Sequence, residues 1–202
     1  MENTLLVEGL DDKHVIYALA KQYNLKKNFE VKNCEGIDKL FEKIPVYLKK
    51  SGIKAIGIVI DADTDLNKQT KKMKNILNNN GFGSSVNINK QGLIIQRLDK
   101  VKIGVWIMPN NETEGMLEDF IKFLVPEDDK LSPFIDSTLD KIESKGIVKF
   151  KKIHKSKAFI HTWLAWQKKP GVPMGTAITS RFLDPNVPEC KYFIKWLKNL
   201  FT

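Results

Sequence analysis

Acidic side chains follow two apolar runs of the sequence at the points where each run ends. Glu8 directly follows the first run, and Asp12 lies four residues later. Asp61 and Asp63 follow the second run, Ile56–Ile60. Such runs, each followed by a helical pattern, indicate buried parallel strands, whose carboxyl ends form the ligand-binding edge of an α/β sheet. Four carboxylates at one edge repel one another unless a cation lies between them, so the sequence predicts a site for a hard divalent ion such as Mg²⁺.

A third acidic group lies farther along the chain, in a stretch whose apolar spacing predicts a helix over residues 114–125. Glu118 and Asp119 lie four and five residues after Glu114, on the first turns of that helix, which follows another strand pattern. Any one of these carboxylates alone is explained as simply by a helix N-cap or a solvated loop residue. Three acidic groups that each follow a strand favour a common metal site instead.

Alternating strand and helix patterns in the first 80 residues predict how these carboxylates are positioned. The predicted strands are Thr4–Glu8, Phe29–Asn33 and the run ending at Ile60, and the predicted helices are 11–23, Ile37–Lys50 and Asn67–Asn80. Strands that alternate with helices indicate right-handed crossovers and a parallel sheet. The sequence thus predicts an α/β fold with the acidic residues at one edge of its central sheet.

The pattern changes after residue 90. Gly92–Leu98 and Lys102–Met108 are apolar runs with Asp99 and Lys100 between them, which predicts a β-hairpin. Later helices are predicted at 114–125, Asp136–Lys145, Ala158–Gln167 and Tyr192–Phe201. We therefore predict an α/β core at residues 1–125 and a basic helical C-terminal extension at residues 126–202, packed on the core within the same structural unit.

Positive charge is concentrated in the last third of the chain. The formal net charge is +9, and residues 141–202 carry 13 Lys and Arg against 3 Asp and Glu, whereas residues 1–140 carry 20 and 21. The densest run contains Lys149, Lys151, Lys152, Lys155 and Lys157. Basic patches attract polyanions, nucleic acid above all, so this run is predicted to bind nucleic acid. A lysine-rich solvated surface is the alternative explanation.

Other sequence features set limits on the class of protein. No apolar run is long enough to span a bilayer and the N-terminus has no signal-peptide pattern, so we expect a cytoplasmic protein with no membrane partner. Cys34 and Cys190 occur in no metal-binding spacing and are expected to be free thiols. His154 lies within the lysine run, where it is either a phosphate contact or a surface histidine.

The acidic motifs resemble a known domain family. Val7-Glu8-Gly9-x-x-Asp12, followed by Ile60-Asp61-Ala62-Asp63, resembles the Toprim domain of topoisomerases, bacterial primases and OLD (overcoming lysogenisation defect) nucleases, and Asp12 resembles the OLD branch in particular. Further stretches resemble a family of small OLD-like Toprim proteins of unestablished function: Gly104–Asn110, Gly115–Asp119, Lys157–Gln167, Pro170-Gly171 and Gly175–Ile178. The resemblance covers nearly the whole chain.

The resemblance implies a fold, an activity and a set of site residues. The implied fold is a Toprim-like parallel central sheet flanked by helices, with a β-hairpin excursion and a helical C-terminal tail. The implied activity is a nuclease dependent on Mg²⁺ or Mn²⁺, with DNA as the expected nucleic acid. The implied metal ligands are Glu8, Asp12, Asp61, Asp63 and Glu118. Glu8, Asp61 and Asp63 are also the implied catalytic residues, together with a lysine, for which Lys157 is the best match and Lys155 the alternative.

One departure from the OLD nucleases concerns ATP. Those nucleases carry their own ATPase domain, whereas this sequence has no G-x-x-x-x-G-K-[ST] stretch and so cannot supply a P-loop itself. The resemblance therefore suggests a separate ATPase partner in a defence-type system, or no ATPase. DNA versus RNA and the oligomeric state stay open.

Two other functions are compatible with the same residues. The chain could be a Toprim-type module that binds nucleic acid or a partner protein without cleaving anything. Asp61-Ala-Asp63 also resembles the motif of haloacid-dehalogenase-type phosphatases, in which the first Asp is a nucleophile and the second a general acid. In those enzymes the motif follows the first strand and Thr or Val usually lies four residues after the first Asp, whereas this motif follows a later strand and position 65 is Asp.

Overall fold

A computed structural model describes residues 2–26, 28–83, 86–96 and 101–202 of the chain. Its strands are β1 (Glu2–Val7), β2 (Glu30–Asn33), β3 (Ile53–Asp61), β4 (Leu93–Ile95) and β5 (Lys102–Met108). Its helices are α1 (Leu10–Gln22), α2 (Ile37–Lys49), α3 (Leu66–Asn79), α4 (Leu117–Phe123), α5 (Ser132–Ser144), α6 (Lys155–Ala165), α7 (Met174–Thr179) and α8 (Pro188–Phe201), and a short 3-10 helix covers Lys152–His154. In this part of the chain no helix has both the length and the apolar character needed to cross a membrane.

The strands form one five-stranded sheet in the order β2-β1-β3-β5-β4. β1 pairs in parallel with β2 and β3, and β3 pairs in parallel with β5. The predicted α/β class with a parallel central sheet and flanking helices is therefore confirmed.

The antiparallel pairing predicted for the hairpin is also found, because Leu93 lies opposite Val105 and Ile95 opposite Ile103. Both strands belong to the central sheet, where β5 lies beside β3 and β4 forms the edge. The predicted connection through Asp99 and Lys100 lies outside the described residues.

The alternation of side chains along β3 separates two hydrophobic layers. Ile56, Ile58 and Ile60 face a cluster formed with α2 and α3, while Ala55 and Val59 face a second cluster formed with α1 and the later helices. This division follows from strand geometry, in which successive side chains point to opposite faces of the sheet. A helical layer on each face buries the parallel strands on both sides, as such strands require.

Helices from the last third of the chain pack directly on the sheet. Leu200 of α8 lies over Gly57 and Gly104, which are partners in the β3–β5 register, and a Cβ at Gly104 would lie 2.7 Å from its Cδ2. Trp196 Nε1 donates a hydrogen bond of 3.0 Å to the carbonyl of Leu93. These contacts place α8 within the same hydrophobic cluster as β1, β3 and β5.

Candidate functional site

A groove of about 540 Å³ lies at the carboxyl edge of the sheet, where β1 and β3 end. It is lined by the carboxylates that the sequence singled out, together with two basic side chains: Glu8, Asp12, Asp61, Asp63, Glu118, His154 and Lys157. Four different parts of the fold supply the carboxylates, namely the ends of β1 and β3 and the first turns of α1 and α4, while His154 and Lys157 come from the 3-10 helix and α6. The structure thus brings the three acidic groups of the sequence together at one surface.

Glu8 links the ends of β1 and β3. Its Oε1 accepts a hydrogen bond of 2.7 Å from the backbone N–H of Asp61. The pKa of Glu8 is raised to about 7, mainly by burial and also by repulsion from Asp12 and Asp63, and the hydrogen bond from the Asp61 backbone opposes the rise. A carboxyl group with this pKa is only partly ionised at neutral pH unless a cation stabilises the charge.

Asp12 has a structural contact as well as a place in the groove. Its side chain is only 7 % exposed, and Oδ2 accepts a hydrogen bond of 3.0 Å from the backbone N–H of Gly9 at the start of α1. Its pKa is raised to about 6, mainly by burial and also by repulsion from Glu118, and backbone hydrogen bonds oppose the rise. The contact with Gly9 uses one of the two carboxylate oxygens of Asp12. Each carboxylate oxygen can accept more than one hydrogen bond, so Asp12 keeps acceptor capacity for another partner.

Asp61 lies among four other carboxylates of the groove. Its pKa is raised well above the ordinary range by burial and then by repulsion from its acidic neighbours, which are Asp12, Glu8, Glu118 and Asp63. Its Oδ1 is buried and has no hydrogen-bond partner among the described residues. A buried charged oxygen without a partner carries a large desolvation cost, which a bound cation would offset.

Asp63 positions the third acidic group through its backbone. Asp63 and Gly115 form an isolated antiparallel bridge, in which each N–H donates to the other's carbonyl at 2.9 Å. Asp63 has a φ of 53°, and Gly115 has a φ of 134° that favours glycine. A Cβ at Gly115 would also lie 2.7 Å from Oδ2 of Asp119. The bridge therefore ties the end of β3 to the loop that leads into α4.

Within α4, the two neighbouring acidic residues have different contacts. Glu118 is 4 % exposed and lines the groove. Asp119 instead accepts a hydrogen bond of 2.8 Å from the backbone N–H of Met116 and another from the hydroxyl of Ser156. Asp119 therefore caps its helix and joins α4 to α6, which leaves Glu118 as the residue of this pair in the groove.

The two candidate lysines lie in different surroundings. Lys157 lines the groove, and its Nζ lies 3.1 Å from Oε1 of Glu118. Lys155 instead makes ion pairs with Asp140 at 2.7 Å and Glu143 at 3.1 Å, both on α5. The structure therefore brings Lys157, and not Lys155, to the acidic groove.

The other lysines of the basic run are on the protein surface. Lys149, Lys151 and Lys152 are exposed, and the run leads through the 3-10 helix into α6, which carries Lys157. His154 lies between them and lines the groove. The basic run therefore begins on the surface and ends at the groove.

The groove also contains residues that the sequence reasoning did not single out. Asn33, Glu35 and Gly36 lie at or just after the end of β2 and line it beside the acidic residues. These residues lie at the carboxyl end of a predicted strand, which is the sequence feature that could have identified them. Glu35 follows β2 by two residues and forms an exposed ion pair with Lys39 at 2.8 Å.

The fit of a metal ion depends on contacts that the carboxylates already make. Within the described ranges no three or more His, Cys, Asp or Glu side chains are arranged to hold a metal ion. Glu8 accepts from the Asp61 backbone, Asp12 accepts from the Gly9 backbone and Glu118 pairs with Lys157. The donor types and the unpartnered Asp61 Oδ1 fit a hard divalent ion, and Lys157 would have to leave Glu118 for an ion to take its place.

Comparisons with known proteins identify a family and one distant structural likeness. The family model described as "Protein of unknown function (DUF3226)" matches residues 2–202. No curated protein matches the chain. A solved structure of the C-terminal region of the Xanthomonas campestris pv. campestris OLD protein is 14% identical, with a TM-score of 0.45, and the alignment covers 98% of this chain and 94% of that chain. A likeness at that TM-score establishes neither a shared fold nor a shared function.

Proposed function

The chain belongs to the family described as "Protein of unknown function (DUF3226)", a description that names no activity, and we propose that it is a divalent-metal-dependent phosphodiesterase acting on nucleic acid. The observation that carries this proposal is the state of Asp61. Its buried Oδ1 has no partner among the described residues, and its pKa is raised by burial and by its acidic neighbours. A divalent cation in the groove would pair with Oδ1 and would stabilise the ionised carboxylate against burial and against repulsion from its neighbours.

Five carboxylates would hold the ion or ions: Glu8, Asp12, Asp61, Asp63 and Glu118. A bound Mg²⁺ or Mn²⁺ would polarise the phosphodiester and lower the pKa of bound water. The carboxylates themselves would set the position of the cation relative to the ends of β1 and β3.

Lys157 supplies the positive charge for the substrate in this proposal. Its side chain is 51% exposed and already lies in the groove, so it can turn from Glu118 towards a phosphate once an ion pairs with the glutamate. A positive group at the scissile phosphate stabilises the charge that develops in the transition state. The exposed lysines that precede it, Lys149, Lys151 and Lys152, would contact the nucleic-acid backbone.

The motif resemblance to OLD-type Toprim nucleases supports the same assignment. Val7-Glu8-Gly9-x-x-Asp12 and Ile60-Asp61-Ala62-Asp63 contain four of the five proposed ligands, in the order that the resemblance requires. This sequence has no P-loop motif, and we propose an ATPase of a defence-type system as a partner.

A cleavage assay with a matched variant tests the proposal. Purified protein is incubated with supercoiled and linear DNA and with RNA, in Mg²⁺, in Mn²⁺ or in EDTA. We expect metal-dependent cleavage by the wild type and its loss in Asp61→Asn. The control is Asp65→Asn, since Asp65 is exposed and caps α3, a role that asparagine also fills. Equal cleavage by the wild type and Asp61→Asn, or cleavage that persists in EDTA, would refute the proposal.

A non-catalytic binding module is the second candidate, and one observation favours it. Glu118, one of the five proposed ligands, is already paired with Lys157, and no ready metal-ligand set exists in the part of the chain that the structure describes. Such a module would bind nucleic acid with or without a divalent ion and would leave it intact. Binding in EDTA, combined with no cleavage in either metal, would establish this function instead.

A further inference from the structure

His154 is the one of the chain's three histidines that lines the acidic groove. It ends the 3-10 helix that precedes α6, and its backbone N–H donates to the carbonyl of Lys151 at 2.8 Å. Lys157, one helical turn later, lines the same groove. His14 and His161, by contrast, are exposed on α1 and α6.

The imidazole of His154 has hydrogen-bonding capacity that its surroundings do not use. Nδ1 is buried and has no partner among the described residues. A buried ring nitrogen normally finds a donor or acceptor, because leaving it unpaired destabilises the fold. No described protein group pairs with Nδ1, and because this nitrogen is itself buried, the ring must turn to present it to a ligand in the groove that His154 lines. This observation is independent of the carboxylates.

Hydrolysis of a phosphodiester leaves one chemical task that the other groove residues do not cover. The carboxylates would be occupied by the metal, and Lys157 would be a fixed positive charge on the phosphate. The leaving ribose oxygen departs as an alkoxide, which is a poor leaving group, and a proton given to that oxygen would ease its departure. Histidine is the side chain whose ordinary pKa lies nearest neutral pH, so it is suited to give that proton and regain it.

We propose that His154 is a catalytic residue that protonates the leaving oxygen during phosphodiester hydrolysis, an inference that rests on the proposed function. Water oxygen forms a bond to phosphorus, and the bond from phosphorus to the leaving oxygen breaks with its electron pair on that oxygen. The imidazolium of His154 gives its proton to this oxygen. The attacking water releases one proton to solvent, and solvent returns one to the imidazole.

The test compares two substrates whose leaving groups differ in their need for a proton. An oligonucleotide leaves as an alkoxide, whereas a thymidine 4-nitrophenyl phosphodiester releases nitrophenolate, which is stable as an anion. His154→Gln should lose about 100-fold or more in kcat on the oligonucleotide and less than about 10-fold on the nitrophenyl diester. His161→Gln, the same change at an exposed position of α6, should stay within about twofold on both.

The ratio of the two rates separates catalysis from folding, because a misfolded fraction lowers both rates equally. An equal loss on both substrates, in His154→Gln and in His154→Asn, would overturn the inference, as would unchanged rates. In either case the proposed function stands if the wild type cleaves in a metal-dependent way. A wild type that hydrolyses neither substrate in Mg²⁺ or Mn²⁺ would overturn the proposed function and this inference together.

Discussion

At the scale of single residues, burial and mutual repulsion set the behaviour of the groove carboxylates. Glu8 has an ordinary pKa of 4.5 and a pKa of about 7 in the fold, and Asp12 changes from 3.8 to about 6. Between these values the folded protein binds more protons than the unfolded chain. The stability that the protonated groups contribute is therefore complete below about pH 4 and is lost as pH rises through 6 and 7.

Glu8→Gln should make the metal-free protein less sensitive to pH. Glutamine keeps an oxygen to accept the Asp61 N–H but has no charge to bury. Above pH 7 in EDTA, the variant should exceed the wild type in free energy of unfolding by about 1–3 kcal/mol, and below pH 4.5 this advantage should disappear. Urea unfolding at pH 4.5, 6 and 8 measures it. Glu42→Gln, at an exposed position of α2, should not change the pH dependence. A pH-independent difference for Glu8→Gln would show that ionisation of the buried carboxyl group is not its cause.

Lys157→Ala should reduce cleavage, while Lys155→Ala should leave it nearly unchanged. Lys157 pairs with Glu118 at the groove, whereas Lys155 pairs with exposed carboxylates of α5. Removing a positive group from the scissile phosphate should lower kcat by about 100-fold. Single-turnover cleavage in Mg²⁺ measures the effect, and circular dichroism confirms that both variants are folded. Equal losses in the two variants would contradict this assignment of the lysines.

The convergence of the carboxylates could be predicted from the sequence, because Glu8 and Asp61 end buried runs and parallel strands bring such ends together. Their partners could not be predicted. The hydrogen bond from the Asp61 backbone to Glu8, the pairing of Glu118 with Lys157 and the cap made by Asp119 depend on tertiary distances. For the same reason His154 stayed ambiguous, since its burial depends on how the residues before α6 pack.

At the scale of elements, a long amphipathic helix was predicted closely and a six-residue helix was missed. The predicted helix Ile37–Lys50 corresponds to α2 at Ile37–Lys49, whereas α7 at Met174–Thr179 was not predicted. A six-residue helix has too few turns to show apolar periodicity. The helix predicted from residue 114 begins at Leu117, because Gly115 pairs with Asp63 instead.

Gly175→Ala should destabilise the protein through the contact between α7 and α1. A Cβ at this position would lie 2.8 Å from the carbonyl oxygen of His14, and backbone atoms cannot turn aside as a side chain can. Overpacking of this kind costs about 1–3 kcal/mol. Thermal and urea unfolding measure the loss. The control is Thr176→Ala, since Thr176 is exposed on the same helix. A Gly175→Ala variant as stable as the wild type would show that α7 can move away from α1.

At the scale of the whole molecule, the two charge regions of the sequence meet at the groove. The carboxylates lie at the ends of β1 and β3, while the lysine-rich stretch reaches the groove through His154 and Lys157. The acidic groove alone would repel an anionic backbone, so positive charge beside it is needed for approach. The sequence alone shows the charge excess in residues 141–202. Only the packing of α4 against α6 explains why the end of the lysine-rich stretch lies next to the carboxylates.

Nucleic-acid binding should therefore depend on the exposed lysines next to the groove. Changing Lys149, Lys151 and Lys152 together to Gln removes three charges without touching the groove carboxylates. The logarithm of the binding constant should then fall less steeply with the logarithm of salt concentration, by roughly one unit for each phosphate contact removed. The loss of affinity should be uniform across sequences, because contacts to phosphates do not read bases.

Fluorescence-anisotropy titrations at several salt concentrations measure this slope, in EDTA so that cleavage does not interfere. The matched control changes Lys49, Lys50 and Lys54 to Gln, an equal loss of charge at the end of α2 and the start of β3, on the opposite edge of the sheet from the groove. The control should keep the wild-type slope to within about half a unit, because distant charges are screened at these salt concentrations. If both triple variants lower the slope equally, the protein binds through its overall charge. If the wild type shows no binding at low salt, the lysine run is a solvated surface.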